Sequence, residues 1–218
     1  MIRPLTRIIN WGHELLAEVI DPGDLAVDLT AGNGHDTLML HRLVGPGGRV
    51  LAFDVQQQAL EATERRLMDS GAVVRRHDAA AAPAGQPGVT LIGASHAELD
   101  RYVAVLPKGI VANLGFLPGG DRNLITRPET TLAALAKSSE LLAPGGRMAV
   151  VIYPGHAGGR EEAEQVDAFF RLLPEQTFSV LCLRVSNRSG APYLQVAEKI
   201  AGPNSAGKSS LSPYLNGC

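Results

Sequence analysis

Short apolar runs alternate with longer segments of helical spacing from Leu25 to Tyr153, which restricts the chain to a mainly parallel sheet covered by helices on both faces. The first run, Leu25-Ala26-Val27-Asp28-Leu29, follows the turn Asp21-Pro22-Gly23 and reads as a buried strand. Helices are expected around Trp11 to Ile20 and from Asn33 to Leu43; after Gly45-Pro46-Gly47-Gly48 a second strand spans Arg49 to Asp54. A helix over Gln56 to Asp69 leads into a connection, Ser70 to Gly88, rich in alanine and proline. Two runs compete for the third strand, Ala72 to Arg76 and Val89 to Ile92, and the more continuous apolar character favours the second. A fourth strand over Gly109 to Leu114 precedes a helix over Pro128 to Leu142, for which Thr126 is a candidate cap. Arg147 to Tyr153 is the fifth strand and Glu161 to Leu172 the last helix, while Thr177 to Val185 and Tyr193 to Ile200 read as an antiparallel hairpin. The expected fold is therefore α/β, a doubly wound Rossmann-like sheet in one domain over residues 1–200, with the small, polar residues 201–218 as a disordered tail.

Ligands of such sheets bind beyond the carboxyl ends of the strands, so the chemistry belongs in the loops after Leu29, Phe53, Ile92, Leu114 and Tyr153. The loop Asp28-Leu29-Thr30-Ala31-Gly32-Asn33-Gly34-His35-Asp36-Thr37 lets backbone approach a ligand at Gly32 and Gly34 and offers the free N–H groups of a helix start. A dinucleotide fingerprint calls for a third glycine or alanine where Thr37 stands, and acids beside a pyrophosphate repel it. Asp28 and Asp36 suit instead a sulfonium cofactor with an ammonium group, S-adenosyl-L-methionine. Asp54, at the end of the second strand, can accept both hydroxyl hydrogens of an adenosine ribose, or it can cap the helix starting near Gln56.

On the substrate side, Asn113-Leu114-Gly115-Phe116 resembles the Asn/Asp-Pro-Pro-Tyr/Phe element by which many amino-group methyltransferases hold a nitrogen nucleophile, with Leu114-Gly115 in place of the two prolines. The Asn113 oxygen can accept N–H bonds from an amine while Phe116 stacks on a flat base; alternatively, a glycine turn packs Phe116 into the core. Five blocks then stand in order: the loop from Asp28 to Thr37, Phe53-Asp54-Val55-Gln56, Ser95-His96-Ala97-Glu98, Asn113 to Asp121, and Tyr153-Pro154-Gly155-His156. Together they resemble the rRNA methylase family, over roughly residues 10–200. The resemblance implies a class I S-adenosylmethionine-dependent methyltransferase acting on the 5-aminomethyl group of the tRNA wobble uridine. It also selects Val89 to Ile92 as third strand, because the family sets its Ser-His pair directly after that strand. The family has an acid before that pair where this chain has Ala94, and a Pro-Pro pair near the end where it has Gly190-Ala191-Pro192.

Motifs and resemblance together assign Asp28, Thr30, Gly32, Asn33, Gly34, Asp36, Thr37, Asp54, Gln56, Ser95, His96 and Asn113 to the cofactor. Asn113, Asp121 and His156 are the catalytic candidates, and Phe116, Tyr153 and Asn187 the substrate contacts. An alkylamine, protonated near neutral pH, has to be bound neutral or lose a proton before attack, and Asp121, His96, His156 and Tyr153 are the candidate acceptors or orienting groups, in no order that the sequence sets. The expected partner is a tRNA anticodon arm. A net charge of −2 gives no global attraction to it, so a local patch drawn from Arg3, Arg7, Arg122, Arg127, Arg160 and Arg188 would have to serve. A homodimer fits a small enzyme clasping such an arm. No metal is expected: the two cysteines, Cys182 and Cys218, suggest neither a disulfide framework nor a metal site, and no His, Cys or carboxylate spacing suits one. No apolar run approaches the roughly 20 residues of a membrane span, and the N-terminus lacks a secretory apolar stretch, so a cytoplasmic location is expected. An NAD-dependent oxidoreductase using Asp54 and a non-catalytic cofactor-binding module are the rival classes.

Overall fold

The computed structural model describes residues 4–77, 85–115, 125–155, 158–188 and 190–200. Its elements run α1 (Ile8–Ala17), β1 (Leu25–Asp28), α2 (His35–Val44), β2 (Arg49–Phe53), α3 (Gln57–Asp69), β3 (Val74–His77), β4 (Gly88–Ile92), a 3-10 helix (His96–Arg101), β5 (Gly109–Asn113), α4 (Pro128–Leu141), β6 (Arg147–Ile152), α5 (Gly159–Leu172), β7 (Phe178–Leu183) and β8 (Tyr193–Lys199). The strands form one sheet in the order β3-β4-β2-β1-β5-β6-β8-β7. Its first six strands in the chain are parallel, and β8 and β7 close the edge as the expected antiparallel pair. The order reverses between β2 and β5 on either side of β1, so the crevice where ligands of such folds bind opens at the carboxyl end of β1.

Side chains alternate across the sheet and so feed two cores. Leu25 and Val27 of β1, Leu51 and Phe53 of β2, and Met148, Val150 and Ile152 of β6 pack with Leu135 of α4 and Phe170 of α5. Ala26, Val50, Ala52, Ala149 and Val151 face the other way, onto Leu16 of α1, Leu40 of α2 and Leu67 of α3. Because both faces are covered, β1 is buried along its whole length and reads as a continuous apolar run.

Three expectations are corrected. The two runs competing for the third strand are both strands: β3 joins β4 in parallel as the sheet's edge. It is only partly buried, so Arg75, Arg76 and His77 are tolerated there and the apolar signal is weak. Thr126 does not cap α4, whose N-cap position is Arg127, with no side-chain cap, and whose first residue is Pro128. Its hydroxyl instead donates to Glu162 at 2.8 Å and accepts the Gly115 N–H at 2.9 Å. The helix expected from Trp11 to Ile20 starts earlier, at Ile8, and ends at Ala17.

Candidate active site

The glycine loop is built by ties to its own ends and to α3. Gly32 and Gly34 hold φ of 53° and 76°, a region side chains disfavour. A Cβ on Gly34 would stand 2.8 Å from the Thr63 Cα, so α3 leaves room there only for glycine. The Thr63 hydroxyl donates to the Gly32 carbonyl at 3.1 Å, and Arg66 Nε donates to the Asn33 carbonyl at 2.6 Å. Inside the turn, Asp28 accepts the Thr30 N–H at 3.0 Å and the Thr37 hydroxyl at 2.6 Å. Asp28 and Thr37 are completely buried, so within the described residues they brace the loop from behind. Burial and the nearby charge of Asp36 push the Asp28 carboxyl up to about 7, against the pull of its two hydrogen bonds.

Asp54 is held by two backbone N–H groups. It accepts the Gln56 N–H at 2.9 Å, bracing the start of α3, and the Gly32 N–H at 3.0 Å, pinning the glycine loop to the end of β2. Its carboxylate is half-buried, and burial raises its pKa while the backbone N–H bonds oppose the shift. Each carboxylate oxygen can accept more than one hydrogen bond, so these bonds orient the group and leave capacity for ribose hydroxyls.

Beyond β4, Ser95 accepts the Ala97 N–H at 3.2 Å and starts the 3-10 helix that places His96. His96 Nδ1 lies 3.1 Å from the Leu29 carbonyl, an acceptor, so that nitrogen carries the hydrogen and Nε2 is left as an acceptor. Burial lowers the His96 pKa and keeps the ring neutral, and among the described residues the buried Nε2 has no hydrogen-bond partner. At the end of β5, the Asn113 N–H donates to Thr30 Oγ1 at 2.8 Å, joining the glycine loop to β5. The Asn113 carboxamide nitrogen donates to Asp36, whose other oxygen meets His13 Nε2 from α1. Among the described residues, buried Asn113 Oδ1 has no hydrogen-bond partner. Tyr153 lies after β6, and burial, with the charge of Asp36 adding to it, raises its hydroxyl pKa and keeps it protonated.

The structure thus gathers Asp28, Thr30, Gly32, Asn33, Gly34, Asp36, Thr37, Asp54, Gln56, His96, Asn113 and Tyr153 along the ends of β1, β2, β4, β5 and β6. Phe116, Asp121 and His156, and the arginines Arg3 and Arg122, lie outside the described residues. Asn187 is exposed between β7 and β8, and no described contact joins it to the Asn113 cluster; Arg7, Arg127, Arg160 and Arg188 are exposed as well. Sequence reasoning missed His13, which reaches the site only through the packing of α1, and no spacing signal marks it. Among the described residues no group of His, Cys, Asp and Glu has the arrangement of a metal site, and no helix is long and apolar enough to cross a membrane.

An adenosine-bearing cofactor fits this arrangement. The loop takes no Cβ at Gly34, a carboxylate is fixed at the end of β2, and two buried acceptors, His96 Nε2 and Asn113 Oδ1, have no donor among the described residues. Comparison with known proteins agrees with the geometry. The family model described as "Putative rRNA methylase" matches residues 50–199. A chloroplastic tRNA (mnm(5)s(2)U34)-methyltransferase of Arabidopsis thaliana is 37% identical over 189 residues, covering 84% of this chain; the chain spans 65% of that protein's length. A crystal structure from Clostridium thermocellum, described as a putative rRNA-methylase, superposes with a TM-score of 0.81 at 37% identity, covering 92% of this chain and 100% of that one. SMU.1697c from Streptococcus mutans, a putative methyltransferase crystallised with SAH, superposes with a TM-score of 0.75 at 34% identity and the same two coverages, 92% and 100%. The chain belongs to the rRNA methylase family and has the fold of the class I S-adenosylmethionine-dependent methyltransferases.

Proposed function

We propose that this chain is an S-adenosylmethionine-dependent N-methyltransferase whose acceptor is the 5-aminomethyl group of the tRNA wobble uridine. The observation that carries the reading is Asn113 Oδ1, a buried acceptor without a donor among the described residues, tied through the Asn113 backbone to the glycine loop. When bound, S-adenosylmethionine supplies an electrophilic methyl group on a sulfonium. Gly32, Asn33 and Gly34 offer close backbone approach to it, Asp54 takes the ribose hydroxyls, and His96 Nε2 accepts from the adenine amino group in place of the acid that Ala94 replaces. That last assignment answers the departure at residue 94 with a group already in place two residues on.

An alkylammonium has a pKa of about 10 and no lone pair, so the acceptor enters neutral or is deprotonated within the site. Asn113 Oδ1 accepts one amine N–H and thereby aims the lone pair; positioning of this kind is the main task of a catalyst for an in-line displacement. Tyr153, held protonated, offers a hydroxyl donor beside Asp36. Phe116 stacks on the base, Asp121 and His156 are the remaining proton acceptors, and Asn187 contacts the RNA. The tRNA acceptor is supported by the name of the Arabidopsis relative, and the amine by the Asn113 carboxamide. Labelled cofactor incubated with bulk tRNA, rRNA and small amines tests the reading: label in tRNA supports it, and label only in rRNA or in small amines overturns it.

A further inference from the structure

We propose that Asp36 and His13 are positioning residues that set which end of the Asn113 carboxamide faces the acceptor amine. The inference rests on the reading of Asn113 as the amine holder and adds two residues to it. The sequence alone assigns Asp36 to the cofactor and gives His13 no role.

The chemistry of the contacts leaves one orientation. A carboxylate accepts hydrogen bonds and donates none, so the end of Asn113 facing Asp36 is Nδ2, and Oδ1 is turned away, buried and free to accept. Rotating the carboxamide by half a turn would set its oxygen against the carboxylate in a buried site. Thr30 Oγ1 holds the Asn113 N–H at 2.8 Å, so the backbone is fixed and the side-chain torsions are the only freedom left. The second Asp36 oxygen is met by His13 Nε2, which donates because its partner only accepts. α1 is thereby coupled to the reacting centre through one carboxylate, and the carboxylate cannot turn without breaking one of its two bonds.

The test uses the full chain and Asp36→Ala, Asn113→Asp, the exchange Asp36→Asn/Asn113→Asp, His13→Phe and His13→Gln. Asp36→Ala should lower kcat about 100-fold, the scale of an ångström misplacement, with S-adenosylhomocysteine Kd changed less than about threefold. Asn113→Asp alone brings two carboxylates together and should be at least as damaging. The exchange restores a carboxamide donor facing a carboxylate acceptor and should recover at least about tenfold over Asn113→Asp. His13→Gln, which keeps a donor, should exceed His13→Phe in kcat. The exchange recovering nothing, or Asp36→Ala weakening S-adenosylhomocysteine as much as it lowers kcat, overturns the proposal. The side-chain amide NMR signal of Asn113, read without substrate, separates this from the function itself: Asp36→Ala should shift it upfield as the charge-assisted bond is lost, and an unmoved signal refutes the positioning role whatever the enzyme methylates. A wild-type protein inactive on tRNA refutes the acceptor instead.

Discussion

Gly34→Ala isolates the steric demand of the cofactor loop. At φ 76° a side chain costs about 1–2 kcal/mol in backbone strain alone. The new Cβ would also stand 2.8 Å from the Thr63 Cα, 3.0 Å from its Oγ1 and 3.1 Å from its Cβ. The nearest of these is backbone, so α3 has to shift, and overpacking of this kind costs about 1–3 kcal/mol more. The sum of roughly 2–5 kcal/mol corresponds to a fall in Tm of roughly 4–20 °C for a domain of this size. Gly23→Ala is the control, since Gly23 has φ 99° but nothing within 4 Å of the added Cβ. It should show only the strain, about 1–2 kcal/mol. Adding Thr63→Ala to Gly34→Ala should restore little, because the clash with the main chain of residue 63 survives and the hydroxyl bond to the Gly32 carbonyl is lost. Thermal denaturation with and without S-adenosylhomocysteine reads both stability and the loop's grip on cofactor. A Gly34→Ala protein no less stable than Gly23→Ala would refute the packing argument.

Asp28, with its folded carboxyl raised to about 7 from an ordinary value of 3.8, binds more protons folded than unfolded between those limits. Its stabilising contribution is therefore complete below pH 3.8 and lost as the pH rises through about 7; Asp28→Asn should flatten the fall in Tm between pH 5 and pH 8, and an unchanged slope contradicts the assignment. Glu162, 2% exposed, accepts from Thr126 at 2.8 Å and Thr131 at 2.7 Å, so Glu162→Ala should cost about 3 kcal/mol in urea unfolding and Glu162→Gln clearly less. Asp54→Ala removes the carboxylate that orients the loop and is proposed to take the ribose, and calorimetry should show S-adenosylhomocysteine Kd rising about 10- to 100-fold, with no change contradicting that role.

How much of this was legible in the sequence depended on burial. β1, β2, β4, β5 and β6 are covered on both faces and announce themselves as apolar runs. β3 carries Arg75, Arg76 and His77 at an edge where apolar continuity is not required, so the same signal ranked it below its neighbour β4, with which it pairs. The tight turn after β1 was legible through its glycines because close backbone approach leaves few alternatives to that residue. Asp28 shows the opposite: its charge suggested a contact to the cofactor, but only the tertiary structure reveals that both of its oxygens are bonded within the loop. His13 illustrates the same limit, since its partner Asp36 is brought to it by the docking of α1 on the sheet, which no local pattern encodes.

The central claim is best tested on a synthetic anticodon stem-loop carrying 5-aminomethyluridine at the wobble position, incubated with the chain and S-adenosylmethionine bearing a deuterated methyl group, then digested to nucleosides for mass spectrometry. The account predicts one deuterated methyl on the 5-aminomethyl nitrogen, absent from a stem-loop with unmodified uridine and strongly reduced with Asn113→Ala. Labelling of the unmodified stem-loop, or full labelling by Asn113→Ala, would contradict it.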